Sequence, residues 1–166
     1  MLLFLDIDGT LLPFGAAGPY PEYEPDAALP GLASPTPAEH PLPARIDPLL
    51  GPRLAALGCE LVWATTWMDD ANTCVAPWLG LPPLPVVAWP DEDEPPALLH
   101  WKTRPLLDWA AGRPFVWIDD ENTEADRAWV AARYPAPALL YRVQHRYGIT
   151  DGDFAALRDW LHTTTA

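Results

Sequence analysis

Residues Leu2–Leu5 are four consecutive apolar side chains, and the run stops abruptly on a carboxylate at Asp6. A strand with one face in water alternates apolar and polar residues. An unbroken run of this length predicts instead a strand buried on both faces of a parallel sheet. Similar runs recur at Leu61–Ala64, Val86–Trp89, Phe115–Ile118 and Leu139–Val143, most of them flanked by Pro, Gly or acidic residues. Helical patterns fall between them, at about Ile46–Leu57, Met68–Trp78, Pro105–Ala111, Thr123–Tyr134 and Asp151–Leu161. Thr66 with Asp69, and Thr123 with Asp126, have the spacing of capping boxes that open two of these helices. Such alternation implies right-handed crossovers and a three-layer α/β architecture around a five-stranded sheet.

The 166 residues suit one domain, residues 1–166, and a 49% hydrophobic composition is enough for one packed core. Residues 13–48 stand apart: they hold nearly half of the 22 prolines and few periodic apolar positions. Proline removes backbone donors and resists regular structure, so this stretch is expected to be an irregular flap or lid. A second Pro-rich and acidic stretch, Pro90–Pro96, is expected to be a solvated loop.

Formal net charge is -13, from 23 acidic and 10 basic residues. The average field repels nucleic-acid backbones and anionic membranes, which disfavours extended nucleic acid as a partner. A small phosphorylated substrate remains compatible, because a bound cation and a local lysine reverse the sign inside a pocket. No basic region precedes the first apolar run and carboxylates interrupt it early, so a soluble, cytoplasmic protein is expected, with no membrane segment. Cys59 and Cys74 lack CxxC spacing and zinc-ligand companions and read as reduced thiols.

In open parallel sheets ligands bind beyond the carboxyl ends of the strands, so the polar residues just after each apolar run carry the chemistry. These are Asp6 and Asp8, then Thr65 and Thr66, then Asp119 and Asp120, with Lys102 before the helix that leads to the fourth run. Asp6 and Asp8 share a side of an extended chain, and Gly9 permits a sharp turn at once. One carboxylate can attack phosphorus while the second, protonated, donates to the leaving oxygen. Two such charges beside a phosphate require a cation. Hard oxygen donors without clustered His or Cys favour Mg2+, with Asp119 and Asp120 supplying further ligands. Lys102 is the only lysine among ten basic residues, and its compact ammonium suits a phosphoryl group flanked by aspartates. Asp69 and Asp70 read as cap residues. Trp67, directly after Thr65 and Thr66, is placed to reach the pocket rim and stack on a substrate ring.

The stretch LFLDIDGTLL resembles motif one of the haloacid dehalogenase (HAD) superfamily, LVWATT its motif two, Lys102 its motif three lysine, and FVWIDDE its acidic motif four. The resemblance spans most of the chain and is to compact members with a minimal cap, similar to the HAD domains found in RNA repair proteins. It implies a sheet ordered 5-4-1-2-3 and a magnesium-dependent phosphatase that works through an aspartyl phosphate. Asp6 would then be the nucleophile and Asp8 the general acid and base. Thr65 would bond a phosphoryl oxygen, and Gly9, Thr10, Thr66 and Trp67 would serve the substrate. Asp6, Asp119, Asp120 and the Asp8 backbone carbonyl would hold the metal. The second aspartate favours phosphoryl transfer over carbon–halogen cleavage.

The sequence leaves three alternatives open. A phospho-accepting receiver domain also uses carboxylates, Thr and Lys, but its acceptor follows a middle strand and its lysine comes near the end of the chain, unlike the order here. A non-catalytic interaction domain is disfavoured by four intact motif positions. A nucleic-acid end-processing phosphatase differs in substrate only, and the acidic charge counts against it.

Overall fold

A computed structural model describes residues 1–24, 42–90 and 99–165. Four parallel strands, β1 (Leu2–Leu5), β2 (Glu60–Trp63), β3 (Phe115–Asp119) and β4 (Ala138–Arg142), form one sheet in the order β2-β1-β3-β4. The central strand β1 pairs Leu3 with Leu61 on one side and with Val116 on the other. Its side chains part to opposite faces. Leu3 and Leu5 join Trp63, Val116 and Ile118 in one apolar cluster, whereas Leu2 and Phe4 join Val62, Phe115 and Trp117 in another. This is the physical content of the unbroken apolar run: both faces are core.

Helices cover both faces. On the first lie α1 (Leu50–Ala55), α2 (Ala76–Trp78) and α5 (Asp151–Thr165), through Leu54, Trp78, Phe154 and Leu157. On the second lie α3 (Thr103–Ala110) and α4 (Glu124–Arg133), through Leu106, Ala110 and Val130. The result is the expected three-layer α/β arrangement. Among the described residues no helix is long and apolar enough to cross a membrane.

Among the described residues the sheet has four strands, not the expected five. Val86–Trp89 lies beside β2, where an outer strand would be, yet only Val86 bridges to Trp63. Two bonds hold it there: Trp63 N–H to the Pro85 carbonyl, and Val87 N–H to the Trp63 carbonyl. Pro82, Pro83, Pro85 and Pro90 crowd this run with residues that cannot donate to a ladder, which is why it does not extend. The remaining order is the expected one with its last strand lost.

The helix expected at Met68–Trp78 is also altered. Met68 has a positive φ of 49°, the chain turns through Asp70, and a π-helical turn at Ala71–Val75 precedes the short α2. Asp70 occupies the N-cap without a side-chain cap bond, so the Thr66–Asp69 capping box does not form. Pro77, just inside α2, has no N–H to bond the preceding turn, consistent with a widened π turn before it. The Thr123–Asp126 box does form, with both reciprocal bonds. Thr150 and Asp153 make a similar pair at the start of α5, not anticipated from the sequence. Of the Pro-rich stretch 13–48, residues 13–24 hold no helix or strand beyond turn and bend, and Leu42–Arg45 form a 3-10 turn. The remainder of that stretch, 25–41, and most of the acidic Pro90–Pro96 stretch lie outside the described residues.

Candidate active site

The carboxyl ends of β1 and β3 lie side by side, and the residues just beyond those two ends build the site. After β1 the chain folds tightly, the N–H groups of Thr10, Leu11 and Leu12 all pointing to the Ile7 carbonyl. Gly9 sits in this turn at φ 77°, where a Cβ would lie 2.4 Å from the Asp120 carboxyl carbon. Only glycine lets Asp120 approach β1 this closely.

Asp6 is almost fully buried, and Lys102, only 3% exposed, reaches it from the N-terminus of α3. Lys102 Nζ donates to Asp6 Oδ1 at 2.7 Å and to Asp119 Oδ2 at 2.9 Å. Trp117 Nε1 also donates to Asp119 Oδ2, and the Glu121 N–H donates to Asp119 Oδ1. One oxygen each from Asp6, Asp119 and Asp120 lie within 4.8 Å of one another. Three carboxylates therefore cluster where one ammonium bonds two of them.

The electrostatics reflect that imbalance. Burial pushes the Asp6 carboxyl up to about 8; Lys102 opposes this, while Asp119 and Asp120 add to it. Asp120 is also raised, by burial and then by Asp119 and Glu121. Lys102 rises above its ordinary value although burial alone would lower it, because Asp6 and Asp119 hold its proton. A hard divalent cation would relieve the crowding at Asp6 and Asp120, and an all-oxygen donor set of this kind suits Mg2+.

A cavity of about 230 Å3 opens onto these groups. Asp6, Asp8, Lys102 and Asp120 line it, together with Thr66. Phe14, Trp101 and Glu121 complete the wall and were not read from the sequence. Trp101 carried one usable signal, its position beside the lone lysine, and Glu121 another, as the last residue of FVWIDDE; Phe14 carried none. Glu121 meets His100 Nε2 at 3.2 Å, and His100 Nδ1 accepts from the Lys102 N–H, which leaves its proton on Nε2 facing Glu121.

The other expected site residues sit behind this wall. Thr65 is fully buried, its Oγ1 accepting from the Trp67 N–H, so Thr66 rather than Thr65 faces the cavity. Thr10 is fully buried, and its Oγ1 has no hydrogen-bond partner among the described residues. Trp67 bonds protein: its Nε1 donates to Asp8 Oδ2 at 3.0 Å. Asp8 thus turns its carboxylate toward an indole N–H and stays outside the three-carboxylate group.

Asp126 does more than cap α4. Its Oδ1 accepts from the His100 N–H and from Thr103 Oγ1, tying the residues on both sides of Lys102 to the start of α4. Burial would raise its pKa, but these hydrogen bonds and those from Thr123 hold the carboxyl below its ordinary value.

A family model described as a HAD domain in Swiss Army Knife RNA repair proteins matches residues 2–154. Comparison with curated proteins and with solved structures gives no match.

Proposed function

Because this chain belongs to the family of HAD domains in Swiss Army Knife RNA repair proteins, and a HAD domain implies phosphatase-type hydrolysis, we propose that it is a magnesium-dependent phosphatase acting on a phosphate monoester through an aspartyl phosphate at Asp6. The observation that carries this reading is the cluster of Asp6, Asp119 and Asp120, the first two bonded to Lys102, at a small cavity with Asp8 on its wall. The same reading takes residues 1–166 as one domain and the cytoplasm as its compartment.

In the first step an Asp6 oxygen attacks phosphorus as the bond to the leaving oxygen breaks, and the Asp8 carboxyl gives its proton to that oxygen. In the second, Asp8 takes a proton from water as the water oxygen attacks the aspartyl phosphate, which returns Asp6 and releases inorganic phosphate. Lys102 holds Asp6 in place and balances the charge of the phosphoryl group. The Thr66 hydroxyl on the cavity wall is suited to donate to a phosphoryl oxygen, a role that falls on Thr66 more readily than on buried Thr65. Asp6, Asp119, Asp120 and the Asp8 backbone carbonyl would hold Mg2+, which when bound neutralises the carboxylates and polarises the phosphoryl oxygens.

Two outcomes test this. Hydrolysis of an aryl phosphate should require Mg2+ and stop on chelation. Mg2+ at about a hundred times its dissociation constant should also stabilise the fold by about 2.7 kcal/mol, a rise of roughly 5–10 °C in melting temperature for a chain of this size. Asp120→Asn should lose most of that rise. Turnover that survives full chelation, or a melting point indifferent to Mg2+, would contradict the reading.

Trp67 enters as a positioning residue for Asp8 rather than a stacking platform. Trp67→Phe removes the indole donor while keeping an aromatic ring. Its effect should grow with the need for a general acid: little loss on an aryl phosphate with an acidic leaving group, and about tenfold loss of kcat on an alkyl phosphate. Equal losses on both substrates would mark a merely structural role.

A second reading, dephosphorylation of a nucleic-acid end, is favoured by the family's association with RNA repair and opposed by the net charge of -13.

A further inference from the structure

Lys102 carries its ammonium at the end of a long, flexible side chain, so where that charge comes to rest depends on where the backbone releases it. The helix it opens does not fix this point: Lys102 is the N-cap of α3 and makes no side-chain cap bond. The anchor comes from α4 instead. Asp126 Oδ1 accepts from the His100 N–H at 2.8 Å and from Thr103 Oγ1 at 2.7 Å, which places one contact on each side of Lys102.

The other oxygen leads to one of the lysine's own partners. Asp126 Oδ2 accepts from the Thr123 N–H and from Thr123 Oγ1, and the neighbouring Asn122 donates its Nδ2 to the Asp119 carbonyl. The Asp119 carboxylate in turn accepts from Lys102 Nζ at 2.9 Å. The contacts close a ring, from the Lys102 segment through Asp126 and residues 119–123 back to the Lys102 ammonium.

Capping α4 does not account for this ring. Thr150 and Asp153 open α5 with the same three bonds, and there they occupy a single oxygen, Asp153 Oδ2, of a partly exposed residue. Asp153 Oδ1 is spent on the Tyr141 hydroxyl. Asp126 is fully buried and has no ion pair among the described residues. A buried carboxylate is costly unless hydrogen bonds satisfy it, and a cap alone has no need of one.

We propose that Asp126 is a positioning residue for the hydrolytic site: it sets the Lys102 ammonium between Asp6 and Asp119, and turnover depends on it through Lys102. This inference rests on the phosphatase reading and adds to it the group that holds the lysine in register with the acidic pair. A carboxylate is needed because the His100 and Thr123 N–H groups are backbone donors that meet opposite oxygens, and neither can turn round. Asparagine offers one acceptor oxygen and sets its own NH2 against the other donor.

The test is a double-mutant cycle on kcat, measured with an aryl phosphate and saturating Mg2+ well below the melting point of each variant. Asp126→Asn should lower kcat about a hundredfold, and Thr103→Val, which removes one donor to Oδ1, about tenfold, the scale on which the loss of supporting hydrogen bonds around a site is felt. KM should change little. Thr103→Ser keeps the hydroxyl and should recover the parent rate. In a Lys102→Met background neither Asp126→Asn nor Thr103→Val should lower kcat further, because residues that act as a unit are not additive. Asp153→Asn weakens a cap of the same construction, so it should lower the melting temperature and leave kcat at the parent value. If Asp126→Asn and Thr103→Val melt lower yet turn over like the parent, or reduce kcat as much in the Lys102→Met background as in the parent, the assignment is overturned. Should Asp126→Asn not fold, the Thr103→Val and Thr103→Ser pair decides alone. A parent chain without phosphatase activity would instead remove the phosphatase reading, and this inference with it.

Discussion

Asp6→Asn is expected to lower phosphatase turnover by about four orders of magnitude or more, the scale on which loss of a nucleophile is felt, while the chain stays folded. The amide can still accept from Lys102, but it cannot attack phosphorus to give an acyl phosphate. Its effect on stability has a definite sign. In the unfolded chain the Asp6 carboxyl loses its proton near the ordinary value of 3.8; in the folded, metal-free protein it keeps the proton up to about 8. Across that window the folded state binds more protons, so stability falls as pH rises. Asparagine removes this contribution. Metal-free melts should therefore show a shallower decline between about pH 4 and pH 8 for Asp6→Asn than for the parent. A variant that is inactive because it is unfolded would show no cooperative melt at either end.

Lys102→Met is expected to have the second largest effect, on activity and stability together. It leaves Asp6 and Asp119 buried without their shared ammonium. Removing one partner of a buried ion pair costs about 3–5 kcal/mol, which for this chain length is roughly 10 °C in melting temperature. Mg2+ should recover part of the loss, since it supplies positive charge to the same carboxylates, and so should acid, which protonates them. Turnover should stay low in either case. Lys102→Arg should restore little, because a planar fork does not fit a point donor held between two carboxylates. Thermal melts at several pH values, with and without Mg2+, together with aryl phosphate assays, separate these effects. A Lys102→Met chain as stable as the parent in metal-free buffer would contradict this balance of charge.

The strands were legible because burial on both faces leaves a signature in composition alone: Leu2–Leu5 and Phe115–Ile118 carry no polar residue, and their alternate side chains enter opposite cores. The outer run Val86–Trp89 carries the same apolar signature, but its prolines act through missing donors, which an apolar count does not register. The Thr66–Asp69 spacing was a sound capping signal that tertiary context overrode, with Met68 forced to a positive φ before the π turn. Asp6, Lys102, Asp119 and Asp120 were legible as a group because parallel topology brings strand ends together. The partners on the cavity wall were not. Phe14 arrives from the Pro-rich stretch and Glu121 from beyond the acidic pair, and no periodicity ties either to β1. The Trp67–Asp8 bond joins residues 59 positions apart and depends on side-chain direction, which sequence spacing does not encode.

The central claim, that Asp6 carries the phosphoryl group during turnover, is tested most directly by trapping. The chain is mixed with Mg2+ and an aryl phosphate, quenched in acid during turnover and reduced with borohydride, which converts an aspartyl phosphate to homoserine; the peptides are then sequenced by mass spectrometry. Homoserine at position 6, absent without substrate or Mg2+, is the expected result. Steady turnover with aspartate intact at position 6, or homoserine at position 8, 119 or 120 instead, would contradict it.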